Sequence, residues 1–326
     1  MWTGLLFALA AGLMWGLVFV APLLLPDYPA ALLTAGRYLA FGLIAVPLAL
    51  LDRRELGRLT RADWWSACRL SAIGNFLYYL TLSAAIQRAG GPLPTMLIGT
   101  LPVVIALCSN QRNAARDGHY RWRQLTPALM LIAAGIACVN QVERAGVAAA
   151  DMARYVQGAV LALVAVACWT WYPIRNADWL RTHTGRSPRA WATAQGLVTL
   201  PMAVLAFMAI GALQMTGVPV LPADFATPAG PRPGAYVGLM LAVGLFASWL
   251  GTLCWNEASQ RLPTTLVGQL IVFETLSALV YAQVLRGEWP RTLSVVGVLL
   301  LVGGVCWALR LKPVPRLESA DGPSRQ

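Results

Sequence analysis

Two charged residues stand where a chain this apolar should hold none. Glu274 interrupts LIVFETLSALVY (270–281) and Arg37 interrupts TAGRYLAFGL (34–43). An isolated charge in hydrocarbon costs several kcal/mol, so each needs a partner, a proton or a wet cavity. The chemistry open to the two is complementary. A guanidinium binds a carboxylate and a carboxylate binds an ammonium group, so Arg37 and Glu274 together can hold an amino-acid zwitterion. The competing reading is a buried ion pair that fixes helix packing, or a Glu274 that is simply protonated there. Both readings stand at this stage.

Further side chains extend this candidate substrate pathway: Trp15, Asn75, Tyr78, Trp169 and Gln269, and Gln195 through an internal repeat described below. Trp15, Tyr78 and Trp169 lie deeper than the tryptophans at 2, 64, 65, 122 and 289, which fit an interfacial belt. Glu257 precedes Arg261 by four residues, the favourable order for a helical pair, and reads as structural. Glu288, before Pro290, reads the same way. No metal, cofactor or catalytic residue is expected. The six cysteines form no CxxC pair, and the two histidines, His119 and His183, fall in loops.

The elements that must position these residues follow from composition. The chain has 326 residues, 58% hydrophobic and 12% charged, against about 25% charged in soluble domains. Apolar runs of membrane-spanning length recur at Gly4–Leu25, Tyr28–Leu51, Leu70–Gln87, Ala89–Gln111, Gln124–Val142, Tyr155–Ile174, Ala190–Leu213, Pro233–Asn256, Leu262–Leu285 and Thr292–Leu309. In lipid such runs must be helices, because only a helix satisfies its backbone within one segment. The expected fold is an all-α integral membrane protein with ten transmembrane helices. Gly4–Leu25 is expected to be the first span and not a cleaved signal, since no basic stretch precedes it.

The net charge of +11 is a topology signal. With the N-terminus in the cytoplasm, 17 of the 25 basic residues fall in inside segments and 6 outside. This is the positive-inside pattern, with both termini cytoplasmic in a plasma membrane. The partners expected are a small-molecule substrate, the lipid bilayer and protons as candidate co-substrate; nucleic acid is not among them. In these spans Glu274 lies about 12 residues from the inner face, roughly 17 Å deep, and Arg37 about 8 residues from the outer face, roughly 12 Å. Across a hydrocarbon core of about 30 Å those depths agree within a few Å, so the two can meet or flank one cavity.

The chain also repeats itself. IQRAGGPLPTMLIGTLP (86–102) parallels SQRLPTTLVGQLIVFET (259–275), and MWGLVF (14–19) echoes CWTWYP (168–173). TAGRYL (34–39) aligns with TAQGLV (193–198), which puts Gln195 near the position equivalent to Arg37. Five spans per copy is an odd number, so the second copy crosses in the opposite sense. Such inverted repeats are an architecture of secondary transporters, with the site at the repeat interface.

GLMWGLVF, TAGRYLAFGL, NFLYYLTLSAAIQRAG with LPVVIAL, CWNEASQRLPTTLVGQLIVFETLSALVYAQVLRGEW and VGVLLLVGGVCW resemble the drug/metabolite transporter superfamily, in its EamA-like branch of ten helices. The resemblance covers essentially the whole chain. It implies two five-helix repeats, 1–145 and 154–311, followed by a cytoplasmic tail, 312–326. It also implies secondary transport, often export, of small metabolites such as amino acids. Glu274 matches a glutamate the family carries in its ninth helix, and Gly287-Glu288 a Gly-Glu pair before the tenth. Thr275 stands where the family usually has proline.

A secondary exporter of a small organic metabolite is therefore expected, working by alternating access. An importer or exchanger of the same fold competes with it, as does, from another class, a multi-pass membrane enzyme. The enzyme reading lacks DDxxD, HxxxH and HExxH motifs, and no GxxxxGK[ST] motif for ATP is present.

Overall fold

A computed structural model describes residues 2–112, 122–145, 148–183, 185–218, 220–222, 225–226, 230–262, 270–287 and 289–311. Its elements, among the described residues, are helices. They are α1 (Trp2–Leu24), α2 (Ala30–Leu51), α3 (61–89), α4 (92–112), α5 (Trp122–Ala145), α6 (Met152–Thr182), α7 (Pro188–Met215), α8 (Pro233–Arg261), α9 (Val272–Arg286) and α10 (Thr292–Arg310). Six of them, α1, α2 and α5–α8, are long and apolar enough to cross a membrane; the apolar parts of α4 and α10 are shorter.

Hydrogen bonds and packing sort the connections into two faces. On one, the α2–α3 connection meets the α6–α7 connection, with Arg186 donating to Arg58 O at 3.0 Å, and Gln260 donates to Arg186 O at 3.4 Å. This face is rich in arginine. On the other, Gln87 donates to Tyr28 O at 2.7 Å and Arg154 to Gln87 O at 3.0 Å. It is sparse in charge.

Packing follows a regular scheme. The most extensive contacts join α2 with α7, α5 with α10, α3 with α6, and α1 with α8 and α9; α2 also packs on α8, α7 on α3, and α6 on α4. Small residues permit the closest approaches. A Cβ on Gly135 of α5 would fall 2.5 Å from the carbonyl oxygen of Gly297 on α10, and one on Gly297 2.7 Å from that of Gly135. Lipid offers helices no hydrophobic drive to associate, so backbone proximity of this kind supplies the contact.

Several helices depart from ideal geometry, among them α1, with a 3-10 turn at Leu17–Phe19, and α4, with a turn at 99–100. α3 winds as a π-helix over Ser71–Leu77 and α8 over Val243–Leu250. The chain turns at Ile271 before α9 begins at Val272. That turn corrects one sequence expectation: Glu274 is in the first turn of α9 and not deep within a continuous helix. A carboxylate suits that place, because unpaired N–H groups make a helix start electropositive. α3 also begins at Arg61, ahead of the expected Leu70, behind a capping box in which Thr60 and Asp63 exchange bonds. α6 runs to Thr182, past the expected Ile174.

Candidate functional site

Arg37 and Glu274 are both buried, at 4% and 1% exposure, and both line one narrow central cavity. α1 contributes Trp15, α2 Arg37 and Tyr38, α3 Asn75 and Tyr78, α6 Trp169, α8 Ser248 and Thr252, and α9 Glu274. The cavity volume is about 10 Å3, room for one water at most.

No direct ion pair joins the two charges. Arg37 donates from Nε to Ser248 Oγ at 2.9 Å and from Nη2 to the carbonyl oxygen of Ala247 at 3.4 Å. Its guanidinium carbon lies 4.4 Å from the centre of the Tyr79 ring and 5.0 Å from that of Tyr38, which adds cation–π attraction. The π-helical turn explains the acceptors: wider winding releases carbonyls from the helical ladder, a feature frequent at functional sites. Glu274 accepts from Tyr78 Oη at 3.3 Å. α1 reaches this carboxylate's backbone closely only because residue 12 is glycine; a Cβ there would lie 3.1 Å from Glu274 N.

Two polar atoms of the lining residues, Arg37 Nη1 and Tyr38 Oη, are buried without a partner, and Trp169 Nε1 and Glu274 Oε2 meet only outside good hydrogen-bond geometry. Buried polar groups are ordinarily satisfied, and an exception calls for a water, an ion or a role. Here both fall on one cavity wall.

Aromatic rings close the cavity toward the arginine-rich face. Tyr78 stacks on Trp169 at 4.9 Å between centroids, Trp169 on Tyr172 at 4.8 Å, and Trp15 meets Trp169 edge-on at 5.1 Å. From Tyr172 a polar column continues. Tyr172 donates to Gln195 Oε1 at 2.8 Å, Gln195 to Asn176 Oδ1 at 3.2 Å, Trp191 to Asn176 Oδ1 at 2.8 Å, and Asn176 to Asn256 Oδ1 at 3.0 Å.

The column ends at Trp179, stacked on Trp191 at 3.5 Å, whose indole donates to Asp63 Oδ1 at 2.8 Å. His183 Nε2 lies 3.2 Å from the same oxygen. Beside it Asp52, 1% exposed, pairs with Arg189 at 2.6 Å and accepts from Thr193 at 2.9 Å. Asp63 sits ahead of the expected third span. Burial pushes its carboxyl up, but donors from Thr60 and Trp179 and the nearby His183 outweigh this and hold it below its ordinary value.

Of the residues named from sequence, the structure brings Trp15, Arg37, Asn75, Tyr78, Trp169 and Glu274 to one cavity. Gln195 is fully buried but stands behind Tyr172, outside the lining. Gln269 and Glu288 lie outside the described residues. Glu257 pairs with Arg261, as its spacing suggested. The sequence reading passed over Tyr38, Ser248 and Thr252 in the lining, and Asp52, Asp63, Asn176 and Asn256 in the column. The pair Asn176 and Asn256 carried a signal, as amides at the edges of apolar runs. Ser248 carried none, because a serine hydroxyl costs little in a helix.

Comparison with known proteins gives three findings. Residues 2–112 match the model of the EamA-like transporter family. The chain is 51% identical over 321 residues to the inner membrane protein YtfF of Escherichia coli (strain K12), covering 98% of this chain and 99% of that one. A solved crystal structure superposes with a TM-score of 0.64 over 94% of this chain and 96% of its own, at 19% identity, a likeness of fold alone.

Proposed function

Because the chain belongs to the EamA-like transporter family of the drug/metabolite transporter superfamily, we propose that it exports a small organic metabolite, an amino acid or similar zwitterion, by alternating access. Transport in the plasma membrane follows from the family and the inner-membrane relative; the solute, direction and mechanism are this reading's own.

One observation carries it. A buried guanidinium and a buried carboxyl line the same cavity, each anchored by neutral groups rather than by the other, and the guanidinium keeps an unpartnered nitrogen. A packing pair would close into direct contact, since separation leaves both charges undercompensated. A zwitterion supplies the missing contacts to both: its carboxylate to Arg37 and its ammonium to Glu274, beside aromatic faces that favour cations. The cavity is too small for an amino acid in this conformation, so solute enters only when the two halves part. Trp15, Asn75, Tyr78 and Trp169 line the route; Gln195 acts on it through Tyr172. Glu274 is the one lining carboxyl able to exchange a proton as the cavity alternates.

Two inverted repeats, 1–145 and 154–311, with a tail at 312–326 beyond the described residues, give ten spans. The packing scheme supports this arrangement. Advancing each helix number by five, cyclically, turns α3–α6 into α8–α1, α1–α9 into α6–α4 and α2–α8 into α7–α3, and returns α2–α7 and α5–α10 to themselves. The two π-helical turns exchange likewise. The arginine-rich face is then cytoplasmic, with N-in and C-in termini.

The test is an export screen. Cells overproducing the protein excrete one or a few amino acids above the level of deletion cells; equal excretion of every zwitterionic metabolite by both rejects export. Reporters fused after residues 57, 117 and 183 signal cytoplasm, and after 148 and 226 periplasm. A cytoplasmic signal at 148 or 226 overturns the topology.

A further inference from the structure

A second and larger concavity lies away from the central cavity and shares no residue with it: a groove of about 550 Å3 between α5, α9 and α10, on the charge-sparse side. Its walls are apolar, with Val139, Leu279 and Val298 among them, while Arg286, Trp289 and Arg291 stand at one end. Leu279 precedes Arg286 by seven residues on α9, and Val298 follows Arg291 by seven at the start of α10. Both arginines therefore rise about 10 Å above the apolar wall, at one level. Trp289, between them and 96% exposed, is the residue type that marks headgroup depth.

Arg291 is exceptional for its face. Arg232 is paired with Asp27, Arg88 donates to Ala84 O at 3.2 Å and Arg154 to Gln87 O at 3.0 Å. The Arg291 guanidinium has no protein partner among the described residues. Residues 286–291 hold two arginines and Glu288, a net charge of +1. A chain that keeps most of its basic residues at the other face has placed two of the remainder on one groove open to lipid.

We propose that this groove binds an anionic phospholipid, its phosphate held by Arg286 and Arg291 and an acyl chain lying against Val139, Leu279 and Val298. Apolar walls under paired guanidinium groups, at headgroup depth, match the two parts of that molecule and neither part alone.

Native mass spectrometry of the purified full chain, with phosphatidylglycerol and phosphatidylcholine supplied equally, tests this. The wild type retains phosphatidylglycerol about tenfold better than phosphatidylcholine. R286Q with R291Q abolishes the preference, and R88Q, on the same face, keeps it. V298W fills the wall without touching charge and loses retained lipid of both kinds; its melting temperature in lipid-free detergent, matched to wild type, shows that it folds. Equal retention of both lipids by the wild type overturns the proposal. So does an unchanged preference in the double variant, or a groove occupied by a second copy and indifferent to lipid.

Discussion

The two ends of the molecule are closed by the same chemistry in opposite settings. At the arginine-rich face, Asp52 is almost wholly buried and shared between Thr193 and Arg189, which is itself 50% exposed, and Asp63 is held by an indole inside a stacked tryptophan pair. At the charge-sparse face, Asp27 and Arg232 also join across the expected halves, but at 36% and 46% exposure. Behind that pair Tyr28 stacks on Tyr236 at 4.7 Å and meets Phe225 edge-on at 5.4 Å. A buried carboxylate that loses its cation costs about 3–5 kcal/mol, whereas an exposed pair contributes about 0–1 kcal/mol. The conformation seen is thus locked at one end and only fastened at the other. Opening toward the charge-sparse face is the less costly motion.

The largest effect that would break this comparison is at Asp52. Arg189→Ala is expected to lower stability by about 2 kcal/mol, between a buried and an exposed pair because Arg189 is half exposed, read from equilibrium unfolding in detergent; a loss under 1 kcal/mol would make the two closures equivalent. Next comes Trp179→Phe, which keeps a ring for stacking but removes the donor to Asp63. It should cost about 1.5–2 kcal/mol and raise labelling of a cysteine placed at Asn176 by a reagent added from the arginine-rich side. Arg232→Ala should have the smallest effect on stability of the three and increase labelling only from the other side.

The smallest effect is one of pH. The bond from Arg232 holds the Asp27 carboxyl below its ordinary 3.8, and a lowered value means stability present at neutral pH and lost as pH falls through it. The stability difference between wild type and Arg232→Ala should therefore vanish below that range and be constant from pH 5 to 7, about a unit and more above the ordinary carboxylate value. A difference that persists in acid would mean that Arg232 acts by packing.

Much of this was legible in the sequence, for a reason that also marks where it was not. Desolvation makes an intramembrane charge conspicuous, so Glu274 and Arg37 stood out at once; depth counting put the two at one level, and the structure places them in one cavity with Tyr78, Asn75, Trp15 and Trp169. Charges at span ends are ordinary, so Asp52 and Asp63 drew no notice, although Thr60 and Asp63 had the spacing of a capping box. Backbone departures were hidden as well. The π-helical turns at 71–77 and 243–250 and the turn at Ile271 occur in runs whose composition is that of any apolar helix. They decide which carbonyl meets Arg37 and where α9 starts. Gln195 was placed by repeat alignment, which fixes a helix face but not the layer of packing, and Tyr172 stands between it and the cavity.

The role of Glu274 is tested most directly in liposomes. Purified Glu274→Gln keeps the shape of the side chain and can still accept from Tyr78, but it cannot ionise. With the solute of the proposed function inside and a pH gradient imposed, the variant should fold and insert as the wild type does, yet give no gradient-driven flux. Wild-type flux with unchanged pH dependence would contradict this and leave Glu274 a packing residue beside Tyr78.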